Sequence, residues 1–147
     1  MNEALPLVGR GFCFEDLRAG FRFRTHRRTI AEADLVQFIN ATWLTEELFA
    51  VAEKGGPRLV PGALVYSFAE GLLLPTMQDT GVAFLNATVD VKAPTYVDDT
   101  IHVDCEVIEH RLTSKGDRGL VRFSNLVKNQ GGEVVLAYNP LRMLKKE

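Results

Sequence analysis

Cysteine is scarce: the 147 residues contain two, Cys13 and Cys105. They are not in Cys-x-x-Cys spacing, and no His, Cys and carboxylate cluster has ligand spacing, so no metal or redox cofactor is expected. Two thiols do not make a secreted disulfide framework either, and both are read as small apolar side chains. Long hydrophobic runs are also missing. The longest, Leu59 to Pro75, is interrupted by Gly62, Ser67 and Glu70, a poor match to the ~20 uniformly apolar residues that span a bilayer, so no membrane span is expected. Residues Met1 to Gly11 show no cationic stretch followed by an apolar run, and the expected compartment is the cytoplasm. Excess positive charge is absent as well: 17 Lys and Arg stand against 19 Asp and Glu, which argues against a nucleic-acid partner.

What is present is an ordinary globular composition, 46% hydrophobic and 24% charged. It fits one domain over residues 1–147, large enough to bury an adequate core without disulfide or metal staples. No repeat, low-complexity tract or linker divides it.

Period-two alternation from Phe21 to Arg28 predicts a strand with Arg22, Arg24, His26 and Arg28 on one face and Phe21, Phe23 and Thr25 on the other. Thr29-Ile30-Ala31-Glu32 has capping-box spacing, and Ala31, Leu35, Phe38 and Ile39 predict a helix from near Ile30 to Asn40. A shorter helix should start at Thr45, with Glu46 and Glu47 in its first turn, and break at Gly55-Gly56-Pro57. From Pro61 to about Met77 the chain is apolar on nearly every face, which predicts a long helix buried on most sides. Four alternating segments follow: Ala83 to Val91, Ile101 to Val107, Val121 to Val127 and Val135 to Leu141. Ser114-Lys115-Gly116-Asp117 and Asn129-Gln130-Gly131-Gly132 read as hairpin turns, so the last three strands form an antiparallel meander. Pro140 predicts that the last strand ends early, bulges or lies at an edge. The sum is an α+β domain, a five-stranded sheet curved around a long central helix. So small a sheet leaves apolar surface along one edge for a second copy to cover.

Phe14-Glu15-Asp16-Leu17 with Gly20, Arg28-Thr29-Ile30 with Glu32-Ala33-Asp34, Gly55-Gly56 with Arg58-Leu59-Val60-Pro61-Gly62, Val91-Lys92-Ala93-Pro94 with Asp99-Thr100, and Asn129-Gln130-Gly131-Gly132-Glu133-Val134-Val135 stand in an order and spacing that resemble the MaoC-like (R)-specific enoyl-CoA hydratase/dehydratase family. The resemblance runs from about Phe14 to Leu144. It implies a dimeric hot-dog fold that binds acyl thioesters of coenzyme A or acyl carrier protein, with no cofactor beyond that carrier. The family carries Gly-Asp-x-Asn-Pro-x-His after the first helix, where Asp and His activate water. Here the corresponding stretch reads Ile39-Asn40-Ala41-Thr42-Trp43-Leu44-Thr45-Glu46-Glu47-Leu48, and both members of the dyad are missing from it.

Two positions carry over as candidate catalytic groups. Gly62 matches the family glycine at the start of the central helix, whose amide polarises the thioester carbonyl; a helix N-terminus supports that role independently. Alternatively the glycine simply starts a buried helix. Glu70 falls where the family has a serine, and related hot-dog thioesterases place a carboxylate along this helix. Tyr66, Ser67 and Glu70 are read as sharing one helical face. Desolvation there would raise the carboxyl toward a general base, unless Glu70 reaches solvent at a dimer interface or pairs with an arginine such as Arg58. Tyr66, Ser67, Asn40, Trp43 and Arg58 are the candidate substrate contacts, with a helix cap the competing role for Asn40. The basic strand is either a solvated outer face or a contact for a ligand phosphate such as that of coenzyme A.

The resemblance implies a hydratase or dehydratase acting on, or binding, an enoyl or hydroxyacyl thioester. Two alternatives stay open: a hot-dog acyl-CoA thioesterase using Glu70, and a non-catalytic acyl-binding subunit of a heteromeric hydratase. The expected assembly is a homodimer, or a pairing with a dyad-bearing hydratase subunit.

Overall fold

The computed structural model describes residues 4–51 and 55–147. A 3-10 turn, Phe14–Asp16, is followed by β1 (Arg22–Arg24), β2 (Arg28–Thr29), α1 (Glu32–Thr42), α2 (Glu47–Ala50), β3 (Leu59–Val60), α3 (Gly62–Leu72) and α4 (Leu74–Met77). Then come β4 (Gly81–Asn86), β5 (Val89–Val91), β6 (Thr95–Tyr96), β7 (Thr100–Leu112), β8 (Arg118–Lys128), β9 (Val134–Tyr138) and β10 (Leu141–Lys145).

Eight strands make one antiparallel sheet. β1 and β2 both pair with β7, β7 with β8, β8 with β9 and β10, β9 with β5, and β10 with β4. β1 and β2, β4 and β5, and β9 and β10 are consecutive pieces of single strand positions. The eight pieces therefore fill the five positions expected, and β3 pairs with β6 in a separate ribbon. Pro140, with no N–H to give, sits at the break between β9 and β10. Both hairpin turns close as expected: Gly116 and Gly132 adopt φ 72° and 81°, and their amides donate to the Thr113 and Asn129 carbonyls at 2.9 and 3.0 Å.

Helix α3 lies on the inner face of this sheet. Its Leu64, Val65 and Ala69 are buried with Ile101, Val103 and Cys105 of β7, Val127 of β8 and Leu136 of β9. Each large side chain so buried contributes roughly 2 kcal/mol. The expected burial on most sides is corrected here, because Ala63, Ser67 and Gly71 leave one face of α3 uncovered. The helix is also shorter than expected. Pro75 cannot donate to the carbonyl four residues back, and the chain restarts as α4 at Leu74.

Other local readings shift for similar reasons. The α1 N-terminus is held at Ala31, whose amide donates to Asp34 Oδ2 at 2.8 Å, while Thr29 sits in β2 with its hydroxyl 2.7 Å from that of Thr100. Asn40 lies inside α1 and is not a cap. The second helix starts at Glu47, capped at Glu46 and not Thr45. Residues 52–54, before the expected glycine break, lie outside the described residues. Both cysteines are free and buried, and burial pushes the Cys105 thiol up to about 12.

Trp43 ends α1 in the left-handed region at φ 61° with its side chain 84% exposed. That conformation costs an L-residue roughly 1 kcal/mol and glycine little. Trp43→Gly should therefore raise stability by about 1 kcal/mol in urea unfolding.

The apolar edge anticipated from the sequence lies on the β4–β5 position, which pairs along one side only among the described residues. Val82, Phe84, Leu85, Val89 and Val91 are all exposed there.

Candidate functional site

Pro61 precedes α3 in extended conformation, and its carbonyl accepts from the amides of Leu64 and Val65. The Gly62 and Ala63 amides ahead of them have no acceptor among the described residues, as helix geometry requires of a first turn. They open beside a cleft of about 430 Å³ lined mainly by apolar side chains from α2, β3, α3, β5 and β9, including Phe49, Val60, Val65, Val91 and Leu136. A Cβ on residue 62 would lie 2.9 Å from Val91 Cγ2, so glycine keeps this mouth open. Of the described residues that line the cleft, Lys92 alone is titratable.

Glu70 is placed elsewhere. It sits eight residues on, about 12 Å along the helix axis from Gly62. Arg142 of β10 grips its carboxylate with both terminal nitrogens, Nη2 to Oε1 at 2.6 Å and Nη1 to Oε2 at 2.9 Å, and Tyr138 Oη donates to Oε1 at 2.8 Å. Arg142 is 5% exposed and stands over the Phe84 ring. The expected partner is thus corrected: Arg58 donates instead to the Phe49 carbonyl and to Glu32 Oε1, holding α2 against α1. The sequence missed Arg142 because it lies 72 residues away and reads as one position of an alternating strand.

The supposed shared face also divides. Tyr66 turns with Glu70 toward Tyr138, the two rings meeting edge to face at 4.9 Å. Burial first, then the Glu70 charge, pushes the Tyr66 hydroxyl up, and the same two causes raise Tyr138, so both stay protonated donors. Ser67 is exposed and donates to the Ala63 carbonyl of its own helix at 2.8 Å. Asn40 and Trp43 are exposed on and just after α1, and neither lines the cleft. Nor does any histidine: His26 is exposed between β1 and β2, His102 lies on β7, and His110 stacks on Phe14.

The basic strand keeps its alternation through β1, where Arg22 and Arg24 face outward and Phe23 inward. The reading of one common face fails at Arg28, which the break at residues 25–27 turns toward Asp34 and over the Phe68 ring at 3.8 Å. Arg24 Nε donates to Asp104 Oδ1 at 2.7 Å, and Lys128 Nζ lies 3.0 Å from Oδ2. The Arg24 hydrogen bond, with Lys128 behind it, holds the Asp104 carboxyl at about 2, below its ordinary 3.8. A depressed carboxyl stabilises the fold above its ordinary value and loses that contribution as pH falls from about 4 to about 2. Asp104→Asn should therefore flatten the acid-unfolding curve in that window.

No protein-family model and no curated protein matches this sequence. Its fold does match solved structures. A MaoC-like dehydratase from Rhodospirillum rubrum superposes with a TM-score of 0.80 at 22% identity, over 93% of this chain and 99% of the other. A MaoC-domain dehydratase protein from Chloroflexus aurantiacus does so at 0.82 and 27%, over 97% of this chain, which spans 43% of that longer one. An R-hydratase from Pseudomonas aeruginosa gives 0.75 and 23%, over 93% and 88%. With the five-position sheet closed on one central helix, the chain has the hot-dog fold, and in that fold it is similar to MaoC-like dehydratases and R-hydratases.

Proposed function

We propose that this protein binds an enoyl or hydroxyacyl thioester, carried by coenzyme A or acyl carrier protein, with the thioester carbonyl on the Gly62 and Ala63 amides. The observation that carries this reading is the pair of acceptor-free amides at the positive end of α3, where Gly62 lines an apolar cleft. Such donors polarise a carbonyl and stabilise negative charge developing on its oxygen. Hydration or dehydration adds or removes water at the next two carbons, which lie within about 3 Å of the carbonyl carbon. Glu70 starts about 12 Å along the helix axis from Gly62, and its carboxylate is turned to Arg142 and Tyr138 instead of to those carbons.

That distance, and the lack of any carboxylate or histidine lining the cleft among the described residues, favours the acyl-binding subunit among the three readings. The acid and base then come from a second, dyad-bearing hydratase chain, and the exposed apolar β4–β5 edge offers a surface for a partner subunit. Glu70 supports a thioesterase poorly, since its carboxylate is held by three hydrogen bonds.

The test is calorimetric titration of crotonyl-CoA and butyryl-CoA into the protein, with mass spectrometry of the same mixtures. Saturable binding with both thioesters recovered unchanged is the expected result. A product one water heavier would establish a base within this protein, free coenzyme A would establish a thioesterase, and no binding would overturn the reading.

A further inference from the structure

On the outer face of the sheet, away from α3, a second cavity of about 600 Å³ lies where β1, β7 and β8 meet the turn at Asn129 to Gly132. Five of its lining residues are cationic or can become so: Arg24, His26, Arg27, His102 and Lys128, and no carboxylate among the described residues lines it. In a chain of net charge -2 this is a concentrated positive field. Asp104, just behind the wall, takes up part of Arg24 and Lys128. Against these three fixed cations stand Asp104 and, across Gln130, Asp99, and Arg27 has no ion-pair partner among the described residues.

The neutral groups around the cavity are already engaged. Thr25 Oγ1 donates to the His26 carbonyl and accepts from Val103 N, and Gln130 bridges Thr100 N and Asp99. The cations keep donors to spare. Lys128 Nζ commits one of its three donors to Asp104. His102 Nε2 is buried and makes no hydrogen bond, lying 3.3 Å from Asp104 Oδ1 but out of alignment with it. A buried polar atom left without a partner costs free energy that a ligand oxygen would recover.

We propose that this cavity is an anion site for a phosphate group carrying about two negative charges, a phosphate monoester or a diphosphate. Arg27 and Lys128 supply the charge, with the His102 imidazole in the cavity wall beside them. The site is independent of the thioester reading, since it lies on the opposite face of the sheet from Gly62.

Calorimetric titration with inorganic pyrophosphate and, separately, inorganic phosphate at low salt tests it. Saturable binding of either is expected, the tighter of the two assigning the diphosphate or the monoester. The exposed Arg27→Gln should weaken that binding several-fold, and Arg27→Gln with Lys128→Gln by about tenfold or more. Arg111→Gln, at the far end of β7 and about 30 Å away, should leave it unchanged. No saturation by either anion up to about 1 mM, or equal weakening by Arg111→Gln, would overturn the proposal. The second result would mean diffuse surface charge.

Discussion

Glu70→Gln should cost about 3 kcal/mol of folding stability, read as a lower urea midpoint at unchanged slope. The Arg142 side chain is 6% exposed, and both of its terminal nitrogens end on this carboxylate. Glutamine keeps the shape, but it turns an amide donor against a guanidinium donor and leaves the buried positive charge uncompensated. Tyr138 loses a charged acceptor at the same place. Removing both charges with Glu70→Leu and Arg142→Met should restore much of the loss, because paired apolar groups avoid the desolvation that the ion pair only offsets. A Glu70→Gln protein as stable as wild type would mean that the pair is held by solvent and not by the fold. In that case the carboxylate would be available for chemistry after all.

Gly62→Val should weaken thioester binding by at least about tenfold while leaving stability within about 1 kcal/mol. A Cβ at this position already lies 2.9 Å from Val91 Cγ2, and valine's two methyl groups would fill the space over the Gly62 and Ala63 amides. Gly62 is the first residue of α3, where its own N–H has no helical partner to lose. Helix propensity favours valine over glycine slightly, which offsets part of the crowding. Titration of crotonyl-CoA beside urea unfolding separates the two effects. Equal affinity in both proteins would place the carbonyl elsewhere.

Most of the sheet was legible because its strands alternate cleanly and its turns carry glycine at positive φ. Val103, Cys105 and Val107 face inward while His102, Asp104 and Glu106 do not, and that pattern alone fixes register against the inner helix. Pro61-Gly62 likewise marks the start of α3. What stayed hidden was long-range or one step off a local rule. The Glu70 to Arg142 pair joins residues that no spacing connects, and local reading offered Arg58, twelve positions back along the chain. Arg28 keeps the strand's parity in sequence, but the break at residues 25–27 turns it over Phe68. Thr29 has the right chemistry for a cap, yet its hydroxyl is taken by Thr100 across the strand pair, and Asp34 holds the helix start instead. Gly62 and Glu70 share a helix, but only the axial rise per residue reveals that they are too far apart to serve one carbonyl.

Whether the first amides of α3 receive a thioester carbonyl is read by isotope-edited infrared spectroscopy of bound crotonyl-CoA labelled with carbon-13 at the carbonyl. Two donors at the positive end of a helix should shift the labelled stretch to lower frequency than in water, and Gly62→Val should abolish the shifted band. A bound thioester whose carbonyl absorbs as it does in water, or a shift that survives Gly62→Val, would contradict the account.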